Sequence, residues 1–367
     1  MSAPAATARP ARPRPAFHRL RIAGVEPLCD DAAAVRFEVP ADLADAYAFR
    51  PGQCLTLRRL VDGRDERRSY SLCSPAGGPL RIAVREVPGG LFSHWLVREA
   101  RPGDTVEVLP PSGAFTPEPS QPGSHVLLAA GSGITPMLSI AASVLAWDDR
   151  SQVTLVYGNR RADTVMFADE LADLKDRHPT RFQLVHVLSR EARDAELLSG
   201  RLDPQRLAAL LAGFVDVPAV DHWWLCGPYE LVRGARELLV GLGVPTARVH
   251  QELFHAEDEL PPEPVRHDGD GAPAGPVSDV TVVLDGRATE LRLPRDWPVL
   301  DGAQRSRPDL PFACKGGVCG TCRALVVDGE VRMRRNYALE EAEVDAGYVL
   351  TCQALPVSDR VVVDYDR

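Results

Sequence analysis

Three closely spaced cysteines constrain this chain more than any other feature of its sequence. Cys314, Cys319 and Cys322 lie in a glycine-rich stretch, and Cys352 follows much later. This C-x4-C-x2-C spacing with a distant fourth cysteine is typical of thiolates that hold a 2Fe-2S cluster. The glycines between the cysteines allow tight turns and N–H groups that point at sulfur. The stretch is therefore predicted to carry electrons one at a time.

Two other readings of the cysteines stay open at this point: a structural zinc site that uses all four, and a redox dithiol at Cys319 and Cys322. Zinc sites usually draw on two short paired arms, whereas Cys352 stands alone in the sequence. The spacing therefore favours the iron–sulfur cluster. A one-electron carrier needs an electron source, which the upstream residues should supply.

Length and composition limit the partners of the chain. The 367 residues, 45% hydrophobic and 25% charged, predict a soluble globular protein of two or three domains. No apolar run is long enough to span a membrane. A formal net charge of -9 argues against nucleic acid or an anionic membrane as the main partner. We therefore expect small-molecule or protein partners.

The N-terminal residues predict a cytoplasmic location. Residues 1–16 are rich in Ala, Pro and Arg and lack the apolar core of a signal peptide. This composition predicts a disordered tail, with a transit peptide as the alternative. The eight cysteines are then expected to stay reduced.

The pattern of short and long apolar segments predicts three domains. Residues 17–121 contain short β-like runs between Pro- and Gly-containing turns, which predict a β-barrel with one helix starting near Leu91. Residues 122–255 alternate strands with longer helical segments, which predicts a parallel α/β sheet. Residues 256–277 have the composition of a linker. Residues 278–367 begin with a predicted hairpin and contain the cysteines.

Two motifs in the predicted barrel have the chemistry of a phosphate and ring site. Arg68 and Tyr70 alternate with Ser69 and Ser71 on a predicted strand, so the arginine and the tyrosine share one face. That face can grip a phosphate and cover a ring, although the fragment alone also fits an ordinary half-buried strand. The second motif is a helix start with Gly90 and Ser93, where N–H groups favour an anion.

A second phosphate motif lies in the predicted parallel sheet. A glycine turn follows an apolar strand and precedes a helix, and it contains Gly131, Gly133, Thr135 and Pro136. Glycines allow a dinucleotide to approach the backbone closely. The turn differs from the G-x-G-x-x-G fingerprint, and taken alone it fits a simple strand-to-helix connection.

Together these motifs resemble the ferredoxin-NADP reductase superfamily with an added plant-type ferredoxin domain. The resemblance rests on R-x-Y-S, on G-x-G-x-T-P and on the Cys226-Gly227-Pro228 motif. It implies a flavin-binding antiparallel β-barrel, a nicotinamide-binding domain with a parallel sheet, and a C-terminal β-grasp 2Fe-2S domain. It also implies that Tyr70, Ser71 and Cys226 lie where hydride passes.

The same resemblance assigns cofactors to residues. Flavin, expected as FAD rather than FMN, would be bound by Arg68, Ser69, Tyr70, Ser71, Gly90 and Ser93. The nicotinamide dinucleotide would be bound by Gly131, Gly133, Thr135, Pro136, Arg160, Ser189, Arg190, Cys226 and Gly227. Ser189 and Arg190 follow a predicted strand where the superfamily binds the adenosine 2′-phosphate, and a guanidinium with a hydroxyl suits that dianion. NADPH is therefore expected in preference to NADH.

Within the superfamily, the chain most resembles reductase subunits of phenylacetyl-CoA epoxidase complexes. The likeness lies in the segments 51–53, 87–93, 157–160 and 346–353. It implies electron transfer from NADPH through FAD and the 2Fe-2S cluster to a diiron oxygenase. One alternative is the reductase of a Rieske or other hydroxylase. Another is a redox-sensing or binding module in which the four-cysteine metal site is structural.

Some polar residues are predicted to have no catalytic part. His94, His250 and His255 have no recognisable partner arrangement in the sequence and are interpreted as structural. The acidic run 340–345 has the pattern of a solvated helix face, which could also guide docking of an electron partner. Cys29, Cys54 and Cys73 are interpreted as core residues.

Overall fold

The computed structural model describes residues 16–61, 64–254, 275–339 and 341–367. One compact unit lies within His18–Pro264, and a second lies within Val265–Arg367. They are called the N-terminal unit and the C-terminal unit below. The predicted tail, 1–16, and the predicted linker, 256–277, lie outside the described residues except at their inner ends.

Six antiparallel strands form the first sheet of the N-terminal unit. They are β1 (His18–Cys29), β2 (Ala32–Glu38), β3 (Cys54–Val61), β4 (Arg64–Ser71), β5 (Arg81–Arg85) and β6 (Thr105–Val108). Their order is β4-β3-β6-β1-β2-β5, and a bridge between Leu72 and Ile82 joins the two ends. Buried apolar side chains, among them Leu20 and Leu57, fill the interior. The predicted antiparallel barrel is confirmed.

One helical segment interrupts the barrel strands, where the sequence predicts a helix. It begins as α1 (Leu91–His94) and continues as a π-helical turn over Trp95–Glu99. Phe92 and Trp95 are buried and meet edge to face, with ring centroids 5.9 Å apart. The apolar face of this segment therefore packs on the barrel interior.

Five parallel strands and four α-helices form the rest of the described part of the N-terminal unit. They are β7 (Ser124–Ala130), α2 (Ile134–Trp147), β8 (Gln152–Asn159), α3 (Ala168–Arg177), β9 (Phe182–Leu188), α4 (Pro204–Phe214), β10 (His222–Gly227), α5 (Tyr229–Gly241) and β11 (Val249–Leu253). The order β11-β10-β7-β8-β9 places the apolar strand β7 in the centre, covered on both faces. The predicted parallel sheet is confirmed, although the sequence analysis did not single out α4 or β11.

The barrel and the parallel sheet share one continuous hydrophobic core. Ala83 and Phe115 of the barrel side belong to the same buried cluster as Met137 of α2 and Trp224 of β10. The rings of Phe115 and Trp224 meet edge to face at 5.1 Å. Because this core is close-packed, it fixes the barrel residues relative to the strand ends of the sheet.

Three histidines and a tryptophan form a stack near the starts of strands β7, β10 and β11. The ring centroids of His125 and His222 are 4.8 Å apart, and those of Trp224 and His250 are 4.2 Å apart. Trp224 Nε1 donates to His125 Nδ1 at 3.2 Å. We call this group the histidine stack. His250, which the sequence analysis interprets as structural, is a member of this stack. His255 lies outside the described residues.

The C-terminal unit is a mixed sheet with a short helix, a β-grasp arrangement. Its elements are β12 (Val277–Leu284), β13 (Arg287–Pro294), α6 (Val299–Ala303), β14 (Arg323–Asp328), β15 (Val331–Met333), α7 (Glu341–Asp345), β16 (Tyr348–Leu350), β17 (Ala354–Pro356) and β18 (Arg360–Asp364). The order is β13-β12-β18-β14-β16, with β12 and β18 parallel. Asp285 and Gly286 have φ of 55° and 68°, which suits the predicted tight hairpin. No helix in the described parts of either unit is long and apolar enough to cross a membrane.

Candidate cofactor sites

Strand β4 presents an arginine and a tyrosine on one face, as the sequence predicts. Tyr70 packs against Phe92 with ring centroids 6.1 Å apart, and burial raises the pKa of its phenol. The Arg68 guanidinium is partly exposed and lies 3.1 Å from the Glu66 carboxylate. A surface ion pair of this kind is weak, so Arg68 can exchange Glu66 for an anionic ligand at little cost.

The helix start beside β4 is held by its own serine. Ser93 Oγ accepts from the N–H of Val87 at 3.1 Å and donates to the carbonyl of Gly90 at 3.1 Å. A Cβ on Gly90 would lie 2.5 Å from this hydroxyl. The Ser93 hydroxyl therefore shapes the turn. The groups that remain available to bind an anion are the backbone N–H groups of α1. Ser69 hydrogen-bonds Thr56 at 3.1 Å and so braces β4 against β3.

A half-buried carboxyl group that the sequence analysis missed joins the barrel to the parallel sheet. Glu252 Oε2 accepts a hydrogen bond from Ser71 Oγ at 3.0 Å. Glu252 lies on β11 directly beside Cys226 of β10 in the parallel register. The structure therefore brings together two of the three predicted catalytic residues, Ser71 and Cys226, around a carboxyl group.

Burial controls the ionisation of this group of residues. It raises the pKa of Glu252 to about 7, and the hydrogen bond from Ser71 acts in the opposite direction. Burial, with a smaller effect of the Glu252 charge, raises the pKa values of Cys226 and Cys54, the latter to about 12. The thiols therefore stay neutral, while the carboxyl group can hold or release a proton near neutral pH.

Local sequence gives no signal for Glu252. The segment Val249–Leu253 contains one acid in a short half-buried strand, which resembles an ordinary edge strand. Only the pairing of β11 with β10 shows that Glu252 lies beside Cys226. A search for acids at the carboxyl ends of predicted parallel strands could have found it.

The predicted glycine turn lies where two parallel strands end. A Cβ on Gly133 would lie 2.2 Å from the carbonyl oxygen of Cys226, and one on Gly227 would lie 3.2 Å from the N of Ala130. Gly131 has φ of 55°. The ends of β7 and β10 thus meet without intervening side chains, which leaves the backbone open to a dinucleotide.

The other two residues of the turn are buried in its helix. Thr135 Oγ1 donates to the carbonyl of Ser132 at 2.8 Å, and Pro136 is buried in the first turn of α2. Both stabilise the start of the helix. Their side chains therefore shape the glycine turn rather than project from it.

Arginines that follow β8 and β9 converge on one cavity of about 170 Å³. It is lined by Asp30, Asp31, Arg160, Arg161, Asp163, Thr164 and Arg190. The backbone N–H of Arg190 donates to the backbone carbonyl of Arg160 at 2.8 Å, so the two arginines are neighbours. Ser189 is not part of the lining; its N–H donates to the carbonyl of Asn159 at 2.8 Å.

Acidic residues share this cavity with the arginines. Asp31 Oδ2 lies 2.6 Å from Arg160 Nη2. Burial opposes ionisation of Asp31, but Arg85, Cys29 and Arg160 together hold its pKa below the usual value. Asp163 pairs with Arg161 at 2.7 Å. Arg190, by contrast, is exposed and makes no ion pair with any described residue.

The four cysteines of the C-terminal unit form two pairs. Interaction with Cys319 lowers the pKa of Cys314, and interaction with Cys352 raises the pKa of Cys322. The Cys319 thiol and the N–H groups of Gly316, Val318 and Cys319 lower the pKa of Cys314. Gly316 N–H lies 3.3 Å from Cys314 Sγ. The predicted convergence of loop N–H groups on sulfur is therefore present.

Pairing of the cysteines fits a binuclear cluster better than a single metal ion. Among the described residues, no group of three His, Cys, Asp or Glu side chains could hold one ion. A structural zinc site would need its four ligands around one point. A 2Fe-2S cluster held by four cysteines needs two thiolates at each of two irons, which matches the two pairs.

Comparisons with known proteins give the same division of the chain. Residues 19–116 match the oxidoreductase FAD-binding domain, residues 127–237 match the oxidoreductase NAD-binding domain, and residues 282–357 match the 2Fe-2S iron-sulfur cluster binding domain. The chain is similar to a subunit of the 1,2-phenylacetyl-CoA epoxidase of Escherichia coli (strain K12). The two are 44% identical over 95% of this chain and 98% of the relative.

Other relatives are reductases of different oxygenases. The ferredoxin reductase component of 3-ketosteroid-9-alpha-monooxygenase from Rhodococcus rhodochrous is 36% identical over 91% of this chain and 93% of the relative. The solved structure of phthalate dioxygenase reductase superposes with a TM-score of 0.61 at 26% identity. That match covers 95% of this chain and 98% of that one.

Proposed function

Because the chain belongs to the family of oxygenase reductases with FAD-binding, NAD-binding and 2Fe-2S domains, we propose that it serves a phenylacetyl-CoA epoxidase. Its acceptor is then the diiron oxygenase of that complex. The meeting of Ser71 from the FAD-binding barrel with Glu252 and Cys226 from the NAD-binding sheet supports the reductase chemistry. The 44% identity with the Escherichia coli protein supports the choice of acceptor.

The residues act by binding, orienting and holding a proton. FAD bound at these residues would supply the exchange between two-electron hydride transfer from a nicotinamide and the one-electron transfer that a 2Fe-2S cluster requires. In this proposal Arg68 and the N–H groups of α1 would bind the flavin pyrophosphate, and Tyr70 would cover its ring. Cys226 would lie beside the nicotinamide. Ser71 and Glu252 hold a proton at the carboxyl oxygen that their hydrogen bond joins.

The acceptor can be tested with purified components. The NADPH-reduced protein is mixed with the epoxidase oxygenase, phenylacetyl-CoA and oxygen, and the epoxide is assayed. Product that requires both proteins is expected. No product, with rapid turnover when a Rieske oxygenase is substituted, would favour the alternative acceptor. Product formed by this chain alone would contradict a role as a reductase component.

We also propose that the protein prefers NADPH, with Arg190 at the 2′-phosphate. The neighbouring Arg160 and the free Arg190 guanidinium in a cavity of about 170 Å³ support a dianionic ligand there. Asp30 and Asp31 line the same cavity and could accept from ribose hydroxyls, which favours NADH as the second candidate.

Kinetics of one arginine variant decide between the two dinucleotides. Arg190→Ala should lower kcat/KM for NADPH about tenfold or more, because a hydrogen bond to a charged group contributes about 1.5 to 3 kcal/mol. The value for NADH should hardly change. Arg150→Ala is the control, since Arg150 is exposed and pairs with Asp148 instead. An unchanged NADPH preference in Arg190→Ala would remove Arg190 from the site.

We propose the domain boundaries 17–121, 122–255 and 278–367, joined by a linker at 256–277. The positions of the matching domain models support this division. A protein truncated after residue 255 should retain NADPH-dependent reduction of ferricyanide and lose electron transfer to the oxygenase. Transfer at the full-length rate would show that the cluster is not on the path.

We further propose a cytoplasmic location. All eight cysteines lie in the described ranges and none forms a disulfide, which supports a reducing compartment. Cell fractionation followed by immunodetection tests this. Recovery in a membrane or secreted fraction would contradict it.

A further inference from the structure

Gln353, the residue after the fourth cluster cysteine, is polar but only 2% exposed. Its Nε2 donates to the carbonyl of Lys315 at 2.8 Å and lies 3.7 Å from Cys352 Sγ, within hydrogen-bonding range of sulfur. The backbone carbonyl of Gln353 accepts from the N–H of Arg334 at 2.9 Å. One side-chain amide thus contacts both the cysteine loop and the fourth cysteine.

The loop residue that Gln353 holds has an unusual backbone. Lys315 has φ of 53°, a left-handed conformation that costs energy for a residue other than glycine. Its ammonium group is fixed from the other side by Asp301 at 2.9 Å and Gln304 at 2.8 Å. Lys315, directly after Cys314, is therefore held at its side chain mainly by the ion pair with Asp301 and at its carbonyl by Gln353.

The side chain of Gln353 also packs on the loop. A Cβ on Gly317 would lie 3.1 Å from Gln353 Cγ. The N–H of Tyr337 donates to the carbonyl of Gly317 at 3.1 Å, which fixes this glycine from another segment. The loop therefore has little freedom to move away from the amide while both contacts persist.

We propose that Gln353 is a positioning residue of the 2Fe-2S centre, which ties the Cys314–Cys322 loop to Cys352 and directs an N–H group at the Cys352 sulfur. This inference rests on the assignment of the four cysteines to a 2Fe-2S cluster. A reduced cluster carries one more negative charge than an oxidised one. Donors directed at its sulfurs therefore favour reduction and raise the reduction potential.

Two variants distinguish the hydrogen bonds of the Gln353 amide from the packing of its side chain. Gln353→Met keeps a long unbranched side chain and removes both donated hydrogen bonds. Gln353→Glu keeps the shape and places an acceptor beside the sulfur. Gln304→Met is the matched control. It removes one of the two contacts to the Lys315 ammonium, keeps the ion pair with Asp301, and leaves the Lys315 carbonyl and the Cys352 sulfur untouched.

The full-length proteins are compared by potentiometric titration with electron paramagnetic resonance detection, and by release of iron to a chelator. Gln353→Met should lower the midpoint potential, change the resonance signal and release iron about 10 to 100 times faster than the parent protein. Gln353→Glu should lower the potential further. Gln304→Met should keep the parent potential and signal. Flavin content should be equal in all four proteins.

The same measurements can overturn the proposal. If Gln353→Met and Gln304→Met both keep the parent potential, signal and iron release, Gln353 only fills the core. If Gln353→Met loses all iron during purification, Gln353→Glu still reports the potential, and a parental value there would overturn the role of the N–H group. A parent protein that binds zinc without iron after anaerobic purification would instead refute the cluster itself.

Discussion

The two units build their sites in opposite ways. In the C-terminal unit, three of the four cysteines lie on one loop, and the loop supplies its own N–H groups to sulfur. In the N-terminal unit, Ser71 and Glu252 are separated by 181 positions in sequence and meet only because the barrel and the sheet share a core. A local site can thus be recognised and removed by itself, whereas a non-local site depends on the packing around it.

The largest expected effect is the loss of the local site. Cys319→Ser should abolish the cluster and electron transfer to the oxygenase, because one iron would lose a thiolate ligand. Flavin binding and NADPH-dependent reduction of ferricyanide should remain. Iron and flavin contents measure this, with the buried Cys73→Ser of the barrel as control. Loss of flavin together with iron would contradict the independence of the two sites.

The next effect tests the packing on which the non-local site depends. Gly133→Ala places a methyl group 2.2 Å from the carbonyl oxygen of Cys226. It should destabilise the N-terminal unit by about 2 to 3 kcal/mol and raise KM for NADPH, since overpacking forces the strand ends apart. Denaturant unfolding, monitored by the release of flavin, measures the change in stability, and steady-state kinetics measure KM.

A glycine on the surface provides the control for that variant. Gly213 lies in α4, and a Cβ there would meet no atom within 4 Å. Gly213→Ala should be neutral or add up to about 1 kcal/mol of stability. Equal losses in both variants would show that the contact between β7 and β10 is not special.

Lowering the pH should destabilise the N-terminal unit more than the C-terminal unit, because the N-terminal unit contains the histidine stack. Burial, followed by the charge of His222, lowers the pKa of His125 to about 4. The folded state therefore binds fewer protons than the unfolded state between pH 6.5 and pH 4, and stability falls as pH falls through that window. The expected loss between pH 7 and pH 5 is about 2 kcal/mol for His125.

One variant tests the contribution of His125. The groups that face it are His222 and His250, which disfavour its protonation, and Asp221, which favours it. His125→Asn can still accept a hydrogen bond but does not titrate, so flavin release should depend less on pH. None of the described residues of the C-terminal unit is a histidine, so this effect belongs to the N-terminal unit. A variant with the parental pH dependence would exclude His125 as the cause.

The last expected effect is similar in size and opposite in its dependence on pH, and it concerns Glu252. Its folded pKa of about 7 exceeds the ordinary carboxyl value. The folded state therefore binds more protons than the unfolded state, and this stabilising contribution is lost as pH rises from about 4.5 through 7. Glu252→Gln removes the dependence, so its stability relative to the parent should rise by about 2 to 3 kcal/mol between pH 5 and pH 8.

Unfolding of Glu252→Gln at pH 5 and at pH 8 measures the effect. The control is Glu237→Gln, which changes an exposed carboxylate on α5. Parallel pH curves for the parent and Glu252→Gln would show that the Ser71 contact does not hold a half-buried carboxyl group. The difference between the two units would then depend only on the packing of the barrel against the sheet.

The sequence predicted those parts of the molecule whose cause is local. The barrel, the parallel sheet, the hairpin at Asp285 and the cysteine spacing all follow from periodicity, turn residues or short motifs. The FAD-binding, NAD-binding and 2Fe-2S domains are likewise borne out by the comparisons. Each of these features can be recognised within a few dozen residues.

Features that depend on long-range pairing were missed. Glu252 acquires its surroundings from β10 and the barrel, and the histidine stack needs three strands to lie side by side. The prediction for Ser93 was incomplete for a related reason. Its hydroxyl closes the turn at Gly90, so the part it plays follows from the folded path of the backbone. The local sequence around each of these residues does not indicate which residues they contact in the fold.

The position of β11 limits how such proteins can be recombined. This strand is at the edge of its sheet, is the last described element of the N-terminal unit, and carries Glu252 two positions before residue 254. A junction placed even a few residues too early would therefore remove the carboxyl group that contacts Ser71 while leaving both domain signatures recognisable. Gene fusions, fissions and engineered exchanges of the C-terminal unit are expected to preserve activity only when the whole of β11 stays with the barrel and the sheet.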